Sequence, residues 1–83
     1  MFDPGSDVAS RIKAAIETAI DDAVVDVKTG SHGHFEIDVT SAAFAGQSMV
    51  KQQQLVYAAI KDLMAGDNAP VHAVDRLRTK TKP

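Results

Sequence analysis

The stretch that decides the fold runs from His34 to Met64. It opens as His34-Phe35-Glu36-Ile37-Asp38-Val39-Thr40 and turns through Ser41-Ala42-Ala43-Phe44-Ala45-Gly46-Gln47-Ser48. It then continues as Met49-Val50-Lys51-Gln52-Gln53-Gln54-Leu55-Val56-Tyr57-Ala58-Ala59-Ile60-Lys61-Asp62-Leu63-Met64. Phe35, Ile37 and Val39 alternate with polar neighbours, the period-two pattern of a strand with one buried face. In the last part Val50, Val56, Tyr57, Ile60, Leu63 and Met64 recur at helical spacing, which predicts one long helix with those residues on its buried stripe. Gly46 supplies the turn, Ser48 the N-cap and Gly66 the stop.

Working outward, the preceding segment reads as a helix followed by a strand. Asp3-Pro4 or Ser6-Asp7 can open the helix. Val8, Ile12, Ala15, Ile16, Ala19 and Ile20 form its apolar stripe, and Asp21-Asp22 closes it although acids there oppose the helix dipole. Ala23 to Lys28 is β-branched, with Val25 and Val27 on one face. Thr29-Gly30-Ser31-His32-Gly33 is a short turn, so the strands on either side of it are antiparallel. Beyond the long helix, Asp67-Asn68-Ala69-Pro70 is a loop and Val71 to Arg78 a third strand. A strand–helix–strand crossover is right-handed and parallel, which sets the third strand beside the second. The expected architecture is α+β, in the order α-β-β-α-β: a three-stranded mixed sheet with two main helices on one face.

Eighty-three residues form a single domain, 1–83, near the size at which one core suffices. There is no cysteine, so the chain offers neither a disulfide nor a thiolate ligand. No apolar run approaches the ~20 residues of a membrane span, and no signal-peptide pattern opens the chain; a cytoplasmic protein that does not enter membranes is expected. The net charge of −2 is unevenly spread: residues 1–45 carry eight acids and three bases, residues 46–83 six bases and three acids. The bases concentrate in Arg76, Arg78, Lys80 and Lys82, a footprint small enough to read as a solvated terminus.

The topology brings histidines together. His34 opens the second strand and His72 lies near the opening of the third, and parallel neighbours about 4.8 Å apart share their starting end. If Phe35 and Ile37 face the helices, His34 faces away; if Val71 and Ala73 face them, so does His72. These two form a candidate metal-ligand pair, and His32 in the turn can replace or join His34. Two histidines are an incomplete site, since a structural metal wants about four ligands. A plain Zn²⁺ or Cu²⁺ site at these histidines is a further alternative. No enzyme is expected: Ser6, Ser31, Ser41 and Ser48 sit at cap or turn positions, Glu36 and Asp38 belong to a hydrated strand face, and Phe44 and Tyr57 read as core or its edge.

The wording Ser31-His32-Gly33-His34-Phe35-Glu36-Ile37, then Phe44-Ala45-Gly46, Val56-Tyr57 and Val71-His72-Ala73-Val74, resembles the BolA-like family, in this order and over nearly the whole chain. Lys51-Gln52-Gln53-Gln54 is similar to its shorter, YrbA/IbaG-like bacterial branch. The resemblance implies a type II KH-like fold, in line with the topology above. It also implies a partnership with a monothiol glutaredoxin around a shared [2Fe–2S] cluster, in iron–sulfur trafficking or iron regulation, with no cluster held by the chain alone. Glutaredoxin and glutathione would supply thiolates, His72 one imidazole, and His34 or His32 a second. Imidazole in place of thiolate raises a cluster's potential, and only the neutral ring coordinates. The end Arg78-Thr79-Lys80-Thr81-Lys82-Pro83 departs from the family's usual last helix, which puts contacts through that helix in doubt. The alternative role the resemblance implies is a KH-like transcriptional regulator, with weak DNA binding through Arg76, Arg78, Lys80 and Lys82. KH domains clamp the backbone with a Gly-x-x-Gly loop, and such a clamp is not expected here.

Overall fold

The computed structural model describes residues 4–82, with side chains from Asp7 onward. Helix α1 (Pro4–Ala19) leads into β1 (Val24–Thr29), which turns back into β2 (His34–Ser41). A 3₁₀ turn (Ala42–Phe44), α2 (Met49–Ala59) and a one-turn α3 (Lys61–Met64) precede β3 (Ala73–Thr81). The sheet order is β1-β2-β3, antiparallel between β1 and β2 and parallel between β2 and β3. This is the expected mixed sheet with helices. Among the described residues no helix is long and apolar enough to cross a membrane.

The core follows the apolar periods. Ile12 and Ile16 of α1 and Ile20 just after it are buried with Val25 of β1 and Phe35, Ile37 and Val39 of β2, and Phe44, Val56, Ile60 and Val71 complete the cluster. Ala19, expected on the α1 stripe, is exposed. The candidate cap Asp3 lies outside the described residues. At the far end, Asp22 turns the chain with φ 58°, and the buried Ser41 hydroxyl donates to the Asp21 carbonyl at 2.6 Å. The same hydroxyl accepts from the Ala43 N–H at 3.0 Å, so one side chain ties the end of β2 both to the α1–β1 corner and to the 3₁₀ turn.

The expected single helix is two. Ser48 caps α2 by accepting from Lys51 N–H, but the α-helical run ends at Ala59, and α3 follows after Ile60. Val50 and Tyr57 are not core: they are 61% and 40% exposed. The inward position belongs instead to Gln52, whose Nε2 donates to the Gln47 carbonyl at 2.9 Å and whose Oε1 accepts from Thr79 Oγ1 at 2.7 Å. A buried amide is tolerated because both its ends are bonded.

The third strand also differs from its expected span. It begins at Ala73 rather than Val71 and continues to Thr81, three residues past Arg78. In register, His34 pairs with Ala73 and Phe35 with Val74, but Glu36 pairs with Arg76, which leaves Asp75 as an extra residue in a β-bulge. Side chains opposite each other in a parallel pair share a face. Ala73 therefore lies on the face of His34, and Val74 on the helix-covered face of Phe35, the reverse of the expected parity for Ala73, whereas Val71, ahead of the strand, is buried in the core as expected. His72, ahead of the strand, lines the same cavity as Phe35, and His34 does not.

Candidate functional site

Four residues join β1 to β2. Gly30 N–H donates to the His34 carbonyl at 2.9 Å and His34 N–H to the Ser31 carbonyl at 2.9 Å, closing a turn with Gly33 at its third position. Gly33 has φ +76°, the value such a turn requires and glycine adopts without a steric cost. The turn separates the two loop histidines. His34 enters the strand on the open face, whereas His32 lies at the lip of a cavity with His72.

The ring centroids of His32 and His72 are 5.9 Å apart, with planes inclined at 54°. They border an open cavity of about 360 Å³ whose floor includes Val8 and Phe35 and whose far wall is the Asp67-Asn68-Ala69-Pro70 loop. Both imidazoles are exposed, while the main chain of His72 is fixed: its N–H donates to the Gly33 carbonyl at 2.8 Å, and Ala73 N–H donates to the same oxygen at 3.1 Å.

His34 makes a different contact. Its Nδ1 lies 2.9 Å from Oδ1 of Asp75, the bulge residue. A carboxylate accepts, so Nδ1 carries the proton in this pair. The topology thus brings His72 to the edge as expected, but its ring neighbour is His32, and His34 faces a carboxylate. Sequence reasoning missed Asp75, because a bulge depends on pairing between strands distant in the chain. It also gave no place to Gly33, whose carbonyl accepts the N–H groups of His72 and Ala73.

The donor set has clear limits. Among the described residues, no group of three or more His, Asp or Glu side chains is arranged to hold a metal ion. With no cysteine in the chain, every thiolate of an iron–sulfur centre has to come from another molecule. Two adjacent exposed imidazoles supply at most two nitrogen donors.

Two of the basic residues on and after β3 lie against acids. Arg78 Nε lies 3.2 Å from Oδ1 of Asp38, and Lys82 Nζ lies 2.7 Å from Oδ1 of Asp22. One sequence expectation needs correcting: Gly30-Ser31-His32-Gly33 does have Gly-x-x-Gly spacing. It connects two antiparallel strands, and the charged residue across the adjoining cavity is Asp67, which repels phosphate.

Residues 12–83 match the family model described as BolA-like protein. The chain belongs to the BolA-like family. Its relatives include BolA-like protein 1 of Bos taurus, 34% identical over 84% of this chain and 59% of that protein, and BolA-like protein 1 of Homo sapiens, 31% identical over 84% and 58%. The chain thus spans about three-fifths of the length of these relatives. Among solved structures, a BolA homologue from Coxiella burnetii matches with TM-score 0.70 and 34% identity over 87% of each chain. BolA1 from Arabidopsis thaliana, at 21% identity and TM-score 0.68 over the full length of both, shares the fold. The BolA-like match covers β1 through β3 and includes the turn, His72 and the bulge.

Proposed function

We propose that this BolA-like protein is a non-enzymatic adaptor in iron–sulfur trafficking or iron regulation. It pairs with a monothiol glutaredoxin and contributes imidazole ligands to a shared [2Fe–2S] cluster, which is its cargo. The observation that supports this reading best is the pair of exposed rings, His72 and His32, 5.9 Å apart at one edge of the sheet. Glutaredoxin and glutathione supply the thiolates that this chain lacks. His72 is the principal ligand, because two hydrogen bonds to the Gly33 carbonyl anchor its start of β3. Of the two loop histidines, His32 is the second ligand, because its ring is the one that lies beside that of His72, whereas the His34 ring lies against Asp75. When bound, such a cluster carries or stores iron and sulfide, at a potential raised by its nitrogen ligands.

The test is anaerobic mixing with a monothiol glutaredoxin, iron, sulfide and glutathione, followed by visible circular dichroism. The parent should give a spectrum distinct from that of the glutaredoxin homodimer. His72→Ala should leave only the homodimer spectrum, and His32→Ala should give a mixed complex that loses its cluster faster. His34→Ala should resemble the parent, with native far-ultraviolet spectra in all three. A parental mixed spectrum from His72→Ala would refute the imidazole-ligand mechanism.

A further inference from the structure

Gly33 and Gly46 have the same backbone angle, φ +76°, but different surroundings. A Cβ placed on Gly46 would meet nothing within 4 Å. A Cβ placed on Gly33 would lie 3.1 Å from Cβ and 2.8 Å from Cγ of His72, and closer still to its Cδ2. The imidazole of His72 therefore rests directly on the bare backbone of Gly33. The Gly33 carbonyl also accepts the N–H groups of His72 and Ala73. Main chain and ring of His72 are thus both located by one residue of the opposite loop.

We propose that Gly33 is the positioning residue of the ligand pair: its carbonyl sets the start of β3, and its missing side chain is the seat that holds the His72 ring beside His32. This rests on the reading of His72 and His32 as ligands, and it names what holds them in place. Gly33 touches no cluster; it acts through His72. Residues that orient a ligand typically change metal affinity about 10–100-fold when altered. A methyl group at position 33 imposes two separable effects. Strain from a non-glycine residue at positive φ is common to Gly33→Ala and Gly46→Ala, whereas displacement of the His72 ring belongs to Gly33→Ala alone.

The experiment compares these two variants in the isolated protein by NMR, and then in the glutaredoxin mixture. In the parent, nuclear Overhauser contacts should join the His72 ring to the Gly33 α-protons and to the His32 ring. Gly46→Ala should keep the contacts and the parental cluster lifetime. Gly33→Ala should lose the contact between the histidine rings and release cluster roughly 10–100-fold faster. Unchanged His72 ring contacts in Gly33→Ala would overturn the proposal. If Gly33→Ala does not fold, the double variant Gly33→Ala/His72→Ala decides: recovery of the fold assigns the damage to the ring contact, and continued unfolding refutes the seat. If the parent forms no mixed cluster, the functional reading fails, and the NMR comparison still decides the role of Gly33.

Discussion

Ser41 shows how much a single small side chain holds together. It is fully buried, and its hydroxyl both donates to the Asp21 carbonyl and accepts from the Ala43 N–H. Ser41→Ala strands a carbonyl and an amide at the junction of α1, β1 and β2, so it should cost about 1–3 kcal/mol. Urea unfolding checks this, and a loss below half that range would mean that the junction does not depend on the hydroxyl. The exposed pair of His34 and Asp75 contrasts with it. Both side chains are about half in water, where ion pairs contribute roughly 0–1 kcal/mol. His34→Ala should therefore change neither stability nor cluster chemistry much, which marks His34 as distinct from His72.

At the scale of elements, α2 and β3 are joined by the buried Gln52–Thr79 bond. Thr79→Val alone leaves the Gln52 amide oxygen without that donor and should cost roughly 1–3 kcal/mol, while Gln52→Leu with Thr79→Val should recover much of it, since the buried oxygen is gone and the Gln47 carbonyl that loses its donor belongs to an exposed residue. A double-mutant cycle measures the coupling; strict additivity would show that the two side chains act independently. The same pair explains where the sequence was legible and where it was not. Phe35, Ile37 and Val39 were readable because burial on one face of a strand imprints period two on the chain. Gln52 was unreadable because it stands in a polar Lys-Gln-Gln-Gln run, and only the partner Thr79, 27 residues away, makes it an inside residue. Val50 and Tyr57 fit a helical stripe that α2 does not bury. At the candidate site, crossover topology brought His72 to the edge of the sheet that carries the β1–β2 turn. Which loop histidine lies beside His72 was not legible, because it depends on the conformation of the tight turn at Gly33, φ +76°, rather than on strand period.

For the molecule as a whole, charge distribution decides how it meets nucleic acid. A KH-like sheet with Arg76, Arg78, Lys80 and Lys82 on its last strand and a Gly-x-x-Gly turn invites that role. Arg78 and Lys82, however, already lie against Asp38 and Asp22, Arg76 stands opposite Glu36 in the strand register, and the net charge is −2. Phosphate must displace carboxylates to reach Arg78 and Lys82, which leaves Arg76 and Lys80 as the more accessible bases. If all four bases engaged, the slope of log affinity against log salt would be no steeper than about −4. Duplex DNA should therefore bind weakly, without sequence preference, and lose most of its affinity between roughly 50 and 200 mM salt. Fluorescence anisotropy with several duplexes across that range is the measurement. Asp38→Asn should strengthen this non-specific binding by freeing Arg78, and it should leave the mixed cluster unchanged because Asp38 lies away from the histidine edge. A tight, sequence-selective complex at physiological salt, lost on replacing Arg76 or Arg78, would instead make the basic strand the working surface of this protein and the histidine pair secondary to it.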